Sequence, residues 1–348
     1  MLKEYQKICI KIVVFSAIFL FLVQKIGYFL RGSIGEHNWE AFYKIPKNSL
    51  DAVFIGSSNV VTHIIPAVLW KDYGIKSYNI GVGRHPSSAT YHNFIETYKY
   101  QKNAVFVIDV YTIATGEGQR DKRNKFYISF NHNNHGEMNF SINKIKAVKK
   151  YDTPIGFKMG VLDILPYLFP IIQFHDEWKN VDKIIKNQND KYNAGVNKYL
   201  FRGYNAACGD RATDNVYGKT DIREPISPIT NKYLHKIMTF AKKNNIKLVF
   251  VKLPSSTVNV RRQVNTIKDI VKQEGFLFYD FNNVYEATVH PLYKDAKNIT
   301  KIVGKYMIEH LDDLKDKQYD PDDKEWTDSI DALEWMDDKY KDQKRCYD

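Results

Sequence analysis

The chain has 348 residues, of which 44% are hydrophobic and 26% charged, so it can bury a large core and is not a disordered protein. Its net charge is +11, with 44 basic and 26 acidic residues in 1–310 against 7 and 14 in 311–348. A basic body suits an anionic partner such as nucleic acid, an anionic membrane face or an anionic wall polymer, or simply reflects a Lys-rich composition. The three cysteines form no CxxC pair and no Cys/His cluster, which argues against a zinc site or a disulfide scaffold.

The N-terminal segment is a predicted membrane anchor. Residues 8–30 are strongly apolar, and residues 12–23 carry no charge. This length crosses roughly 30 Å of hydrocarbon in helical form. Lysines before the apolar core favour a cytoplasmic N-terminus. No small-x-small cleavage site follows, so an uncleaved single-pass signal-anchor is favoured over a cleaved signal peptide. Residues from about 31 onward are then expected outside the cell membrane, where Cys208 and Cys346 are the one pair that could form a bridge.

A second apolar stretch, residues 159–174, is shorter than a membrane span. Asp163, Pro166 and Pro170 interrupt it. It is predicted to be a buried element or one that lies along the membrane surface.

Strand and helix patterns alternate along the rest of the chain. Strands are predicted at residues 51–55, 76–80, 104–110, 247–253 and 277–281. Helices are predicted at residues 60–73, 86–101, 231–244, 258–274 and 299–314. This order predicts an α/β fold with a doubly wound, five-stranded parallel sheet. The predicted domains are an anchor (1–30), an extracytoplasmic domain (31–315) with an insertion at about 111–228, and an acidic tail (316–348).

The first predicted strand ends in Gly-Ser-Ser-Asn, with a helix directly behind it. A serine in such a turn presents its hydroxyl beside backbone N–H groups that can stabilise an oxyanion. Considered alone, the tetrapeptide is better explained by an N-cap at Ser57 or Ser58.

The wider sequence context resembles a known family. The runs VFIGSSNVV, KSYNIGVGRH, KNAVFVIDVY and KLVFVKLP, in this order over most of residues 50–315, resemble SGNH/GDSL hydrolases. More narrowly, the chain resembles the membrane-anchored bacterial group around the D-alanyl-lipoteichoic acid D proteins and the polysaccharide O-acetyltransferases. The resemblance implies a flavodoxin-like sandwich with Ser58 as nucleophile. It implies an oxyanion hole at the second strand's end, around Asn79 and at Gly83 or Arg84.

Two of the family's motifs are altered. The third strand ends without the family's Gly-x-Asn donor. In the family's last motif an aspartate orients a catalytic histidine three residues later; here Asp295 fits, but Asn298 occupies the histidine position. An amide cannot serve as a general base near neutral pH. His290 and His85 are the candidate substitute bases.

Two functional hypotheses follow from these patterns. The first is an envelope serine esterase or O-acyltransferase acting on a surface glycan or a teichoic-acid-type polymer, with impaired or rearranged catalysis. The second is a catalytically dead relative that binds an anionic envelope polymer or an assembly partner. A membrane-bound acyltransferase is a plausible partner for relatives of this kind. No cofactor or metal is expected, since His132 and His135 lack partners at metal-ligand spacing, and no nucleic-acid recognition motif accompanies the positive charge.

Overall fold

A parallel sheet of five strands, in the order β2-β1-β3-β4-β5, forms the centre of the protein. The structure is a computed structural model that describes residues 2–31, 38–83, 85–116, 135–149, 161–193, 198–209, 220–255, 260–285 and 290–344. The strands are β1 (Ala52–Gly56), β2 (Ser77–Gly81), β3 (Val105–Asp109), β4 (Leu248–Lys252) and β5 (Leu277–Asp280). The predicted five-stranded parallel sheet of the α/β class is therefore confirmed.

The helices of the described residues are given in chain order. They are α1 (Leu2–Arg31), α2 (Asn38–Tyr43), α3 (Ser58–His63), α4 (Pro66–Tyr73), α5 (Ser87–Tyr100), α6 (Tyr111–Thr115), α7 (Ile142–Lys149), α8 (Val161–Leu168), α9 (Pro170–Phe174), α10 (Val181–Asn189), α11 (Pro228–Lys243), α12 (Arg261–Gln273), α13 (Tyr293–His310) and α14 (Lys324–Lys339). Two 3₁₀ turns, His175–Asn180 and Phe281–Asn283, complete the set.

Helices cover both faces of the sheet, which explains why its strands are almost continuously apolar. Alternate residues along β1 enter two separate clusters, Val53 and Ile55 in one and Ala52 and Phe54 in the other. The first cluster includes side chains from α5, α11 and α12, and the second includes side chains from α3, α4 and α13. The sheet is thus the middle layer of a three-layer sandwich.

The predicted helix over residues 60–73 is two helices rather than one. Ile64 and Ile65 adopt extended backbone between α3 and α4. Pro66 imposes this break, because a proline disfavours helical backbone in the residue before it. The short α3 therefore belongs to the turn that follows β1, and α4 packs separately against α13.

The acidic C-terminal segment contributes a helix to the packed body. Trp326 of α14 is fully buried and joins the main core cluster. The guanidinium of Arg202 lies 4.4 Å from the centre of the Trp326 ring, and its Nε donates to the Ser329 hydroxyl at 3.0 Å. The apolar side of this helix therefore packs on the body while its acidic side faces solvent.

Within the described part of the chain, α1 is the one helix long and apolar enough to cross a membrane. Its side chains from Glu4 to Leu22 are exposed. Cys208 is disulfide-bonded, whereas Cys9 is free and exposed. Cys346 lies outside the described residues, as do most of residues 111–134 and 150–160 of the predicted insertion.

Candidate active site

The turn after β1 carries Ser58 at the carboxyl edge of the sheet. Ser57 caps α3 by accepting a hydrogen bond from the backbone N–H of Asn59, and Ser58 is the first residue of this helix. As the first helical residue, Ser58 has a backbone N–H with no acceptor inside the helix. The N-cap explanation of the motif thus applies to Ser57, which leaves the Ser58 hydroxyl available for chemistry.

Two glycines allow this turn to pack tightly. β1 and β2 pair in register so that Gly56 lies opposite Gly81. A Cβ on Gly81 would lie 2.7 Å from the carbonyl oxygen of Ser57, and one on Gly56 would lie 2.5 Å from Cγ2 of Val60. Both distances are below van der Waals contact. Glycine at these positions therefore brings the end of β2 against the serine turn.

His290 supplies an imidazole at the serine. Its Nε2 lies 2.9 Å from the Ser58 Oγ, although the two residues are 232 positions apart in the chain. His290 is partly buried and precedes α13, whose N-cap is Leu292 in extended backbone. A heavy-atom distance of 2.9 Å is a hydrogen bond and lies within the reach required of a general base. Ser58 and His290 are therefore within the distance that a serine nucleophile and its general base require.

Asp295 and Asn298 both contact the hydroxyl of Tyr285. The predicted last helix begins at Tyr293 rather than near residue 299, so both residues belong to the first turns of α13. Asp295 Oδ1 accepts a hydrogen bond from the Tyr285 hydroxyl at 2.9 Å, and the exposed Asn298 contacts the same hydroxyl at 3.4 Å. The Asp-x-x-His register that assigned Asn298 to the catalytic histidine position is not the one that meets Ser58. The imidazole at the serine comes from the loop before the helix.

The remaining predicted residues have structural contacts. His85 is fully buried, and its Nε2 lies 2.8 Å from the Thr90 hydroxyl. Asn79 donates its side-chain amide to the carbonyls of Ile64 and Val60, at 2.7 and 3.3 Å, so this amide holds the end of α3 against β2. Gly83 lies two residues beyond the end of β2, on the same sheet edge as Ser58, and Arg84 lies outside the described residues.

A group of buried polar side chains lies beside Ser58 and His290. His63 is fully buried and has its Nε2 2.7 Å from the Pro254 carbonyl oxygen. Burial, with smaller contributions from the nearby Lys252 and His290, lowers the pKa of His63 to about 3. His63 is therefore neutral at physiological pH and donates to that carbonyl.

Lys252, at the end of β4, and Asp109, at the end of β3, belong to the same group of buried polar side chains. Burial lowers the pKa of Lys252 and raises that of Asp109, and the attraction between the two charges opposes both shifts. Lys252 donates to the Leu253 carbonyl and to the Ser255 hydroxyl, while Asp109 accepts from the backbone N–H of Leu253 at 3.0 Å. Lys252 was not predicted as a site residue; the available signal was a lysine inside the apolar run KLVFVKL.

Among the described residues, no group of His, Cys, Asp and Glu side chains is arranged to hold a metal ion. The reactive groups at this edge of the parallel sheet are the Ser58 hydroxyl and the His290 imidazole. No protein-family model matches the chain, and no characterised protein is significantly similar to it.

Proposed function

We propose that this protein is a membrane-anchored serine esterase or O-acyltransferase of SGNH type that acts outside the cytoplasmic membrane. The substrate class is an acylated surface glycan or teichoic-acid-type polymer. The observation that supports this proposal most strongly is the 2.9 Å distance between His290 Nε2 and Ser58 Oγ. It favours an enzyme over a polymer-binding relative that has lost its base.

The chemistry follows from the two side chains. His290 Nε2 takes the proton of the Ser58 hydroxyl as Oγ attacks the acyl carbonyl carbon, which forms a tetrahedral oxyanion. The backbone N–H groups of Ser58 and Gly83 are the proposed oxyanion donors. Collapse of this intermediate transfers the proton to the departing alkoxide and leaves an acyl ester on Ser58. Water or a glycan hydroxyl then attacks this ester, with His290 again taking and returning one proton.

Two structural features support the extracytoplasmic location. The helix α1 has the length and composition of a membrane span. Cys208 is disulfide-bonded, and disulfides persist mainly in oxidising compartments outside the cytoplasm. The net charge of +11 suits an anionic envelope polymer as the neighbour or substrate.

Covalent labelling with a fluorophosphonate tests the proposal on full-length protein in detergent micelles. Wild type is expected to label, and Ser58→Ala to lose all labelling. His290→Ala is expected to slow labelling by about 10²-fold or more, since general-base catalysis typically contributes 10²–10⁴-fold. Asn298→Ala and His85→Ala serve as matched controls for the histidine assignment.

The outcomes separate the two functional hypotheses. Slow labelling in His290→Ala together with normal labelling in Asn298→Ala supports the serine–histidine pair. A wild type that is folded by near-ultraviolet circular dichroism but does not label refutes the enzyme proposal. The polymer-binding hypothesis would then be tested by sedimentation with an anionic wall polymer.

A further inference from the structure

The helices α8 and α9 pack against the C-terminal part of α1. The side-chain amide of Gln24 donates to the Leu168 carbonyl at 2.6 Å. A Cβ on Gly27 would lie 2.5 Å from the backbone nitrogen of Ile171, so only glycine permits this close approach. Leu30 then packs in a small buried cluster with Phe174 and, from α10, Ile184. The four elements from α8 to α10, residues 161–189, are called here the interfacial segment.

These contacts fix the position of the interfacial segment along the axis of α1. Gln24 and Gly27 lie before Arg31, the last residue of the helix, by about 10 and 6 Å at 1.5 Å per residue. Arg31 itself forms an ion pair with Glu137 at 3.3 Å, with both side chains almost fully buried in the body of the protein. Both Gln24 and Gly27 lie in the C-terminal third of the apolar segment 8–30. Leu168 and Ile171 therefore lie within about 10 Å of the C-terminal end of α1, at the depth of the headgroups and upper acyl chains of a bilayer that α1 would span.

The interfacial segment exposes large apolar side chains, called here its apolar face. Ile172 and Ile185 are each 45% exposed, and Trp178 is 63% exposed. Trp178 lies in the 3₁₀ turn and Ile185 in α10. Lysines at 179, 183 and 186 and acidic residues at 176, 177 and 182 lie in the same stretch. Trp beside aliphatic residues and lysines is the composition of helices that lie in a membrane interface.

A second exposed apolar pair lies near the same end of α1. Phe140 is 74% and Ile142 71% exposed, and both closely follow Glu137, the partner of Arg31. Water contact at these side chains is unfavourable by roughly 25 cal/mol per Å² of apolar surface. Both groups of apolar side chains thus border the point where α1 joins the body.

We propose that the interfacial segment lies in the headgroup and upper acyl region of the same bilayer that α1 spans. The occupant of its apolar face is lipid, because the face continues the lipid-exposed surface of α1 at the depth of the membrane interface. The inference rests on the proposed membrane anchoring and is independent of the serine chemistry. Its consequence is that the body is fixed against the membrane surface rather than tethered by a free linker.

Tryptophan quenching by brominated lipid tests this placement. The full-length protein is reconstituted in nanodiscs whose phosphatidylcholine is brominated in the upper acyl chain, and its fluorescence is compared with that in unbrominated nanodiscs. The quenched component is expected to disappear in Trp178→Phe, because Trp39, Trp70 and Trp326 are buried in the body and Trp335 is partly buried against Tyr192 and Phe201 outside the segment. Ile185→Glu is expected to reduce the quenching at least twofold, whereas Ile222→Glu, at a position that is 53% exposed outside the segment, is the matched control and leaves it unchanged.

Alkaline carbonate extraction of the membranes distinguishes failure of the anchor from failure of the segment. A protein that resists extraction but shows the same quenching in wild type and Trp178→Phe overturns the interfacial placement and leaves the anchor intact. A protein released by carbonate overturns both. Fluorophosphonate labelling at Ser58 reports separately on the proposed enzyme activity, since labelling depends on the serine–histidine pair.

Discussion

Acid sensitivity is expected from the buried His63. The folded protein holds this imidazole neutral, with its Nε2 2.7 Å from the Pro254 carbonyl oxygen, and burial lowers its pKa from 6.5 to about 3. Unfolding exposes the imidazole to water and restores its ordinary pKa. The perturbation is the substitution His63→Gln, which keeps an N–H donor for the carbonyl and removes the titrating group.

The sign and size of the effect follow from proton linkage. Above pH 6.5 His63 is neutral in both the folded and the unfolded protein, so it adds no pH dependence to the free energy of unfolding. As the pH falls from 6.5 towards 3, the unfolded state binds a proton that the folded state excludes, so stability is lost at about 1.4 kcal/mol per pH unit. Between pH 8 and pH 5 the loss from this one residue is about 2 kcal/mol.

Guanidinium unfolding of the full-length protein in micelles, followed by tryptophan fluorescence, measures the effect. The free energy of unfolding is determined at pH 8 and pH 5 for wild type and His63→Gln. Wild type is expected to lose about 2 kcal/mol more than the variant over this interval. His175→Gln, at a histidine whose side chain is 65% exposed, is the control for the substitution itself. Equal losses in wild type and His63→Gln would refute the assignment of a buried neutral imidazole.

Three further predictions concern the packing and the disulfide. Cys208 is expected to react with maleimide only after denaturation and reduction, and modification at Cys208 of denatured, unreduced protein, located by peptide mapping because Cys9 is free, would contradict its disulfide. Gly81→Ala is expected to push the Ser57 carbonyl away and to slow fluorophosphonate labelling of Ser58 at least tenfold in protein that remains folded, because the new Cβ would lie 2.7 Å from that oxygen; unchanged labelling would show that the turn adapts. Trp326→Ala is expected to lower the free energy of unfolding by about 3–5 kcal/mol through loss of a fully buried indole, and a loss below about 1 kcal/mol would show that α14 does not stabilise the body.

Local patterns predicted the sheet well because its strands are short, apolar and separated by turn residues. The runs DAVFI and AVFVIDV give β1 and β3, and their lack of polar alternation correctly indicated strands covered on both faces. The helix boundaries were less predictable. The start of α13 at Tyr293 depends on Leu292 in extended backbone, with no side-chain cap to indicate it in the sequence.

The pairing of Ser58 with His290 could not be read from spacing. Sequence reasoning kept His290 as one of two candidate bases, but a motif of four residues favoured position 298 instead. Which histidine meets Ser58 depends on how the loop before α13 packs against the end of β1. His290 and Ser58 are 232 residues apart in the chain. A fixed motif describes only the local part of such a site, whereas the distance between two side chains depends on the packing of α13 against α3 and α4.

The sequence by itself determined the class of fold, the candidate nucleophile and a membrane-length N-terminal helix, because periodicity, turn residues and apolar length are local properties. Only the tertiary structure decided which histidine reaches Ser58, that the acidic C-terminal segment packs through Trp326, and that residues 161–189 lie along α1. Each of these depends on contacts between residues far apart in the chain. The physical reason is that the burial and the hydrogen bonds of a residue depend on all the elements that pack around it. The sequence of a single segment does not specify those contacts.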